Sequence, residues 1–482
     1  MPTINKTALV IGAGTGGYPC AIRLGQLGID SMLVEKGNPG GVCLNVGCVP
    51  SKALISATKL AHKAQHAKNM GVTFAAPQID MKQMQVWKAG IVKKLTGGVQ
   101  QLVKGNGCEY RQGTAEFLGP APGGKGFRVK VTYADGRAAD EVIAEHVVIA
   151  TGSLPVEIPG FKIDQKVIVD STGALEIDSI PKEMIVIGGG YIGLELGQML
   201  QRLGTKLTVV EGLDRILATM DKDLGDPVAK QIKADGGEIL TGTKALGWRE
   251  EGGRALVKVE TGGPNGNQTR EIAADVVLVS VGRRPITAGL ALDKVGVKLD
   301  AKGFITVDDR MQTNVPKIFA AGDVVGQPML AHKASHEGEL IAEIIAGKKR
   351  VNDVRTIPAV VFTEPEIASA GMTRTEAEAK GHKVSEGKFP FSASARAMAI
   401  DETKGFVKVI ADAEDERILG VHIVGPEASD LISEAALAIE MGAYVPDVAL
   451  TIHPHPTLGE AVMEAAKHAI GEAIHIANAR RH

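Results

Sequence analysis

Two copies of one strand–turn–helix pattern, and a change of pattern after about Val351, predict an α/β chain: two parallel-sheet domains followed by a smaller α+β domain. In the first copy the apolar run Ala8-Leu9-Val10-Ile11 opens into a turn with Gly12, Gly14 and Gly17, and the next apolar run, Ser31 to Val34, ends on Glu35. In the second copy Met184 to Ile187 leads to Gly188, Gly190 and Gly193, and Leu207 to Val210 ends on Glu211. The two acids follow their first glycines at the same offset, and Leu27-Gly28 and Leu203-Gly204 correspond as well. Glycines in G-x-G-x-x-G spacing admit a pyrophosphate to a helix N-terminus, and an acid ending the next strand accepts hydrogen bonds from a ribose hydroxyl. One such turn is a weak signal. A strand before it, an acid after it and a second copy in register make it specific, and imply two bound nucleotides.

The other elements fall in order around these. Leu54, Ile55, Leu60, Trp87, Ile91 and Leu95 suggest apolar helix faces through about residue 104. Gly105 to Val148 reads as short strands with Gly-Pro turns such as Pro120 to Gly124. It closes on Val147-Val148-Ile149-Ala150-Thr151-Gly152-Ser153, a strand ending in glycine, where an α/β sheet meets a ligand. Residues 213–275 carry helix and then strand signals, broken by the polar turn Gly262 to Gly266. Two further strand ends follow, at Val281-Gly282-Arg283-Arg284-Pro285 and at Ile318-Phe319-Ala320-Ala321-Gly322-Asp323. Beyond Val351, the runs Pro358–Thr363, Gly405–Ile410 and Ile418–Val424 read as antiparallel strands with helices between. The expected boundaries are 1–153, 154–283, 284–350 and 351–482.

Composition excludes several classes. Lys and Arg total 54 against 56 Asp and Glu, a net charge of -2, so there is no basic footprint for nucleic acid. No run of about 18 apolar residues suggests a membrane span, and no charged-then-apolar N-terminal segment suggests secretion. Four cysteines in 482 residues do not make a secreted disulfide scaffold; a cytoplasmic location is expected.

Two stretches carry chemistry. Gly41-Val42-Cys43-Leu44-Asn45-Val46-Gly47-Cys48-Val49-Pro50-Ser51-Lys52 holds two cysteines too far apart along a regular helix to bond, so the segment must bend if they do. Asn45 and Gly47 tolerate unusual backbone angles, and the Lys52 cation favours a nearby thiolate. Spacing alone leaves two readings open, a redox pair or two unbonded core thiols. Cys20 and Cys108, by contrast, fall on apolar elements and read as inert. The second stretch, Ile452-His453-Pro454-His455-Pro456-Thr457-Leu458-Gly459-Glu460, places two histidines between prolines on a stiff loop. No Cys or Asp nearby completes the usual metal ligand set, so no metal is expected. A histidine can deprotonate a thiol, and a carboxylate can fix its tautomer.

The cysteine stretch resembles the G-G-T-C-x-N-x-G-C-x-P-S-K motif of the flavoprotein disulfide reductases, with Val42 in place of the usual Thr. The ending resembles that family's H-x-H-P-T-x-x-E, and the resemblance spans nearly the whole chain, with Ile286 where an Asn is usual after G-R-x-P. It implies two Rossmann-like dinucleotide-binding domains, the first for FAD and the second for NAD, and a C-terminal α+β dimerisation domain that makes a homodimer. It implies a Cys43–Cys48 redox disulfide, with Cys43 nearer the substrate and Cys48 nearer the flavin. His455 is then the acid/base, oriented by Glu460 and serving the partner subunit's cysteines, and Lys52 pairs with Glu195. FAD contacts would include Gly12, Gly14, Gly17, Glu35, Lys52, Gly113, Thr151, Gly152, Asp323 and Ala331; NAD contacts would include Gly188, Gly190, Ile192, Gly193, Glu195, Glu211 and Gly282. Glu211 would repel a 2′-phosphate, though Arg215 lies close in sequence. The implied activity oxidises dihydrolipoamide carried by the acyltransferase components of 2-oxo acid dehydrogenase complexes, or by the glycine cleavage lipoyl protein, and reduces NAD. The alternatives are a glutathione- or mycothione-type reductase and a flavin-bound interaction subunit without activity.

Overall fold

The register of the parallel strands decides where the glycine turns end up. In the computed structural model, which describes residues 1–262 and 266–478, Thr3–Ile11 pairs in parallel with Ser31–Glu35 on one side and Asp140–Ile149 on the other. Ile11 lies opposite both Val34 and Ile149, so Gly12, Glu35 and Ala150 meet at the carboxyl edge of the sheet. The second copy repeats this, with Ile187 opposite Val210 and Val279, which brings Gly188, Glu211 and Ser280 together.

The chain divides into two compact units, 1–53 with 82–156 and 282–353, and 54–81 with 157–281 and 354–482. In the first unit the strand Glu109–Pro120 joins the parallel and antiparallel parts of one six-stranded sheet. Its start pairs in parallel beside Ser31–Glu35, and its remainder pairs antiparallel with Phe127–Tyr133, which in turn pairs with Asp140–Ile149. Ile318–Ala320 closes the other edge. Alternation along the strands divides the core. Leu9, Ile11, Met32, Val147 and Ile149 face Phe117 and Val129, while Ala8, Val10, Leu33 and Val148 pack with Cys20, Leu24 and Ile341. Each buried Val, Leu or Ile of this kind stabilises by about 1.5–3 kcal/mol.

The second unit holds a five-stranded parallel sheet ordered 238–240, 206–210, 183–187, 276–279 and 168–169. A three-stranded antiparallel sheet, 243–251, 254–261 and 268–274, follows the helix Lys222–Ala234. Of the turn expected at 262–266, residues 263–265 lie outside the described residues. The three antiparallel strands expected after Val351 are present within a five-stranded sheet covered by the helices Ala428–Met441, Val445–Leu450 and Glu460–Ala469.

The expected helical region differs in two ways. It breaks into a helix Cys48–His66, a short 3-10 turn Ala67–Met70 and a helix Met81–Gly105. Leu54 and Ile55 are buried as expected, but Leu60 is 72% exposed, Trp87 45% and Leu95 42%, because this chain's own core does not cover that part of the stripe.

Candidate functional site

The two glycine turns use the same backbone solution. Gly12 has φ +100° and Gly188 φ +106°, and a Cβ on either would lie 2.4 Å from a carbonyl oxygen, that of Ala150 or Ser280. Only glycine fits there. Glu35 accepts hydrogen bonds from the amides of Ala13 (2.7 Å) and Gly37 (2.8 Å); Glu211 does the same with Gly189 (2.5 Å) and Leu213 (2.8 Å). The carboxylates are thus fixed at the lip of each turn. No side-chain hydrogen bond caps the helices Gly17–Gln26 and Tyr191–Gln201, and the dipole at each N-terminus favours an anionic group there. A Cβ on Gly190 would meet nothing within 4 Å, and one on Gly14 only the Gly41 Cα at 3.9 Å, so a pyrophosphate can approach both backbones. The residues fit two dinucleotides. Arg215 donates to the Ala218 carbonyl at 3.1 Å, a tie that occupies the one cation close to Glu211 in sequence.

At the edge of the first unit, Thr151 Oγ1 donates to the Ile286 carbonyl at 2.6 Å, and the Ile286 amide donates to Gly152 at 2.9 Å. Both contacts use the backbone of Ile286, so the missing Asn leaves them intact. Asp323 accepts a hydrogen bond from Ser153 Oγ, which itself accepts one from Arg283 Nε at 2.7 Å. Ser153 and Arg283 orient Asp323. Sequence reasoning placed both residues next to site glycines without giving them this role. Gly113 lies in a strand where a Cβ would come 2.3 Å from the Thr132 carbonyl, Ala331 begins the helix Ala331–Ile345, and Gly282 has φ +132°. Ile192 and the buried Glu195 lie on the Tyr191–Gln201 helix, where Glu195 Oε1 accepts the Phe362 amide at 2.8 Å.

The cysteines stand on two helices. Gly41–Val46 carries Cys43, Gly47 breaks the chain at φ -142° and ψ -114°, and Cys48 starts the helix that runs to His66. Asn45 Nδ2 braces the bend on the carbonyls of Pro39 (3.1 Å) and Gly41 (2.9 Å). The bend expected between the cysteines is there, and it brings the two sulfurs into hydrogen-bond contact. That contact is the first cause that pushes the Cys43 thiol up, followed by burial and the Cys48 charge, while Lys52 pulls the other way. The pair therefore resists a double negative charge. Cys48, at the start of a helix, sits where the macrodipole favours negative charge. Burial pushes the Cys20 and Cys108 thiols up, Cys108 to about 11, as inert core thiols should be.

The histidine loop precedes the helix Glu460–Ala469. His455 Nδ1 meets Glu460 Oε1 at 2.9 Å, and the Thr457 amide donates to Glu460 Oε2 at 2.8 Å. Burial raises the Glu460 carboxyl, but the Thr457 amide and His455 outweigh it and hold the group below its ordinary range. An ionised Glu460 can only accept a hydrogen bond from Nδ1–H, and in that tautomer the free lone pair of His455 is on Nε2. The imidazole is 72% exposed in the single chain. His453 is held differently, with Nε2 on Glu434 Oε1 at 2.8 Å and Nδ1 on the Thr451 carbonyl at 2.9 Å. Glu434 carries no local signal in the sequence. Among the described residues no three His, Cys, Asp or Glu side chains gather as a metal site, and no helix is long and apolar enough to cross a membrane.

Comparison with known proteins agrees with this geometry. A family model described as pyridine nucleotide-disulphide oxidoreductase matches residues 6–338, and the dimerisation domain of the same family matches residues 357–466. The dihydrolipoyl dehydrogenase of Geobacillus stearothermophilus is 48% identical over 473 residues, 98% of each chain. That of Haloferax volcanii is 48% identical over 472 residues, 98% of this chain and 97% of its own. Among solved structures, LpdA of Mycobacterium tuberculosis matches with a TM-score of 0.88 at 28% identity, covering 96% of this chain and 99% of that one.

Proposed function

Because the chain belongs to the pyridine nucleotide-disulphide oxidoreductase family, with its dimerisation domain, we propose that it is a dihydrolipoyl dehydrogenase. The hydrogen-bonded Cys43 and Cys48, beside a dinucleotide turn in the same unit, carry this reading. In it the two cysteines form a disulfide in the resting enzyme, and His455 of one subunit serves the cysteines of the other.

His455 Nε2 takes the proton of one dihydrolipoamide thiol, and Glu460 stabilises the resulting imidazolium at Nδ1. The substrate thiolate attacks the Cys43 sulfur; the Cys43–Cys48 bond breaks and Cys48 leaves as a thiolate, favoured by the helix end and by Lys52. The second substrate thiol then displaces Cys43 from the mixed disulfide, its proton passing by way of His455 to the Cys43 sulfur; lipoamide leaves oxidised, and the two electrons rest on the cysteine pair as a Cys43 thiol and a Cys48 thiolate. The chemistry supplied by bound FAD and NAD is the onward route of those electrons, which end as hydride on NAD. Glu35 and Glu211 would hold the two adenosine riboses, Asp323 the flavin's ribityl chain, and Lys52 would pair with Glu195 near the flavin. The remaining positions expected from the family, from Gly113 to Ala331 and from Ile192 to Gly282, complete the two cradles. The physiological substrate in this reading is a lipoylated carrier of a 2-oxo acid dehydrogenase complex or of glycine cleavage, in the cytoplasm.

Steady-state turnover tests the proposal. Purified protein should be yellow with non-covalent FAD and should reduce NAD with free dihydrolipoamide. Turnover of glutathione or mycothiol disulfide at a higher kcat/KM than dihydrolipoamide would replace this reading with that of another disulfide reductase.

A further inference from the structure

The loop that carries His455 is not held by its backbone. Among the described residues, no backbone-to-backbone hydrogen bond involves positions 452–457. Side chains hold it instead: Thr457 Oγ1 donates to the Pro454 carbonyl at 2.7 Å, Glu460 takes His455 and the Thr457 amide, and His453 makes the two remaining ties. The His453 side chain is only 6% exposed, although Ile452 beside it is 95% exposed. Each ring nitrogen thus has one oxygen partner, Nε2 the Glu434 carboxylate and Nδ1 the Thr451 carbonyl. Removing the Glu434 carboxylate leaves a buried ring nitrogen without its partner, which costs about 1–3 kcal/mol.

Glu434 belongs to the helix Ala428–Met441, whose Ile432, Ala435 and Ile439 are packed in the core. Glu460 opens a different helix packed in the same core through Ala461, Val462 and Ala465. The His453 ring reaches Glu434 on the first helix, and a Cβ on Gly459, just before the second, would sit 3.4 Å from its Cδ2. The ring therefore rests against the residue just before Glu460, and two carboxylates on separate helices hold one loop.

We propose that Glu434 is a positioning residue: acting through His453, it fixes the loop on which His455 meets the substrate thiol. This rests on the reading of His455 as the acid/base. The ordinary alternative is a tie that only stabilises the fold, and the two differ in what they do to the reaction.

The test uses the dimeric, FAD-loaded enzyme and two assays. One is dihydrolipoamide oxidation by NAD. The other is NADH oxidation by ferricyanide, a one-electron acceptor that takes electrons from the flavin without the histidine loop. Glu434→Ala should lower kcat for dihydrolipoamide by about tenfold, the scale of a reacting group displaced by less than 1 Å. KM and the ferricyanide rate should stay within about twofold. Glu434→Gln, whose carbonyl still accepts from Nε2, should recover most of the kcat. Because Glu434 acts through His453, adding Glu434→Ala to His453→Ala should cost nothing further. An unchanged kcat in Glu434→Ala, an equal loss in both assays, or additive losses in the double variant would each overturn the proposal. If Glu434→Ala does not fold, the Glu434→Gln and Glu434→Asp pair carries the test: Asp, whose shorter chain breaks the 2.8 Å contact, should lose kcat where Gln does not. His455→Gln separates the two levels of the argument: if it leaves dihydrolipoamide turnover intact, the reading of the site itself fails.

Discussion

Replacing Glu460 with Gln keeps the size and shape of the side chain and removes one negative charge, which makes it the sharpest probe of the histidine loop. The carboxylate accepts two hydrogen bonds, from His455 Nδ1 at 2.9 Å and from the Thr457 amide at 2.8 Å. An amide has one accepting end. If the Gln carbonyl keeps His455, its NH2 is pushed against the Thr457 N–H. If the amide turns over, its NH2 donates to Nδ1 and moves the ring proton to Nε2, the atom that must act as base. Either way the productive tautomer loses its carboxylate partner. A hydrogen bond to a charged group contributes about 1.5–3 kcal/mol, and Glu460 keeps 23% exposure, so the lower part of that range applies. The expected loss in kcat is about tenfold to thirtyfold. The assay is dihydrolipoamide oxidation at matched flavin content, with NADH–ferricyanide activity as the control that should not move. A kcat within twofold of wild type, with the dimer intact, would refute the role assigned to Glu460.

Three further outcomes follow from other parts of the molecule. Cys48→Ser and His455→Gln homodimers should each be almost inactive, while mixed dimers carry one intact site, so random mixtures should recover about a quarter of wild-type activity; verified heterodimers as inactive as their parents would show that His455 does not serve the partner's cysteines. Glu211, clamped by two backbone amides, should favour NAD over NADP by at least about tenfold, or ~1.4 kcal/mol, and Glu211→Arg should narrow the gap; equal kcat/KM for both coenzymes in the native enzyme contradicts this. The Arg23 hydrogen bond, with help from Lys348, holds the Glu343 carboxyl at about 2 instead of 4.5. Its folded value is depressed, so its stabilisation is complete above 4.5 and is lost as pH falls toward 2. The Tm gap between wild type and Glu343→Gln should therefore close across that window, and a gap that stays constant through it rules the pair out as the cause.

The parts of the molecule that were legible in the sequence are those set by local rules. Strand, glycine turn and terminal acid occur within one stretch of chain, and the repetition at Gly188 doubles the signal. The break at Gly47 was legible for the same reason, since Asn45 and Gly47 lie between the cysteines they bend. What escaped was set by tertiary contact. Ser153, Arg283 and Asp323 form one hydrogen-bonded chain from three distant segments. Glu434 reaches His453 from another helix, and nothing in the residues around either one announces the pair. The stripe through Leu60, Trp87 and Leu95 misled in the opposite direction: helical periodicity says which residues share a face but not whether anything covers it.

Gly47 also sets the two sulfurs on unequal supports. A bond that opens and closes at every turnover has to move at least one of its atoms, and a rigid scaffold would pass that motion on. Here Cys48 is built into the first turn of a 19-residue helix, together with Lys52, whereas Cys43 rides a 6-residue helix on the far side of a single unusual backbone joint. A Cβ at position 47 would press on the Val42 carbonyl at 2.9 Å. Cys48, the sulfur assigned to the flavin side, thus shares its element with Lys52, while Cys43, the sulfur assigned to the substrate, sits on a separate short segment whose support comes from Asn45.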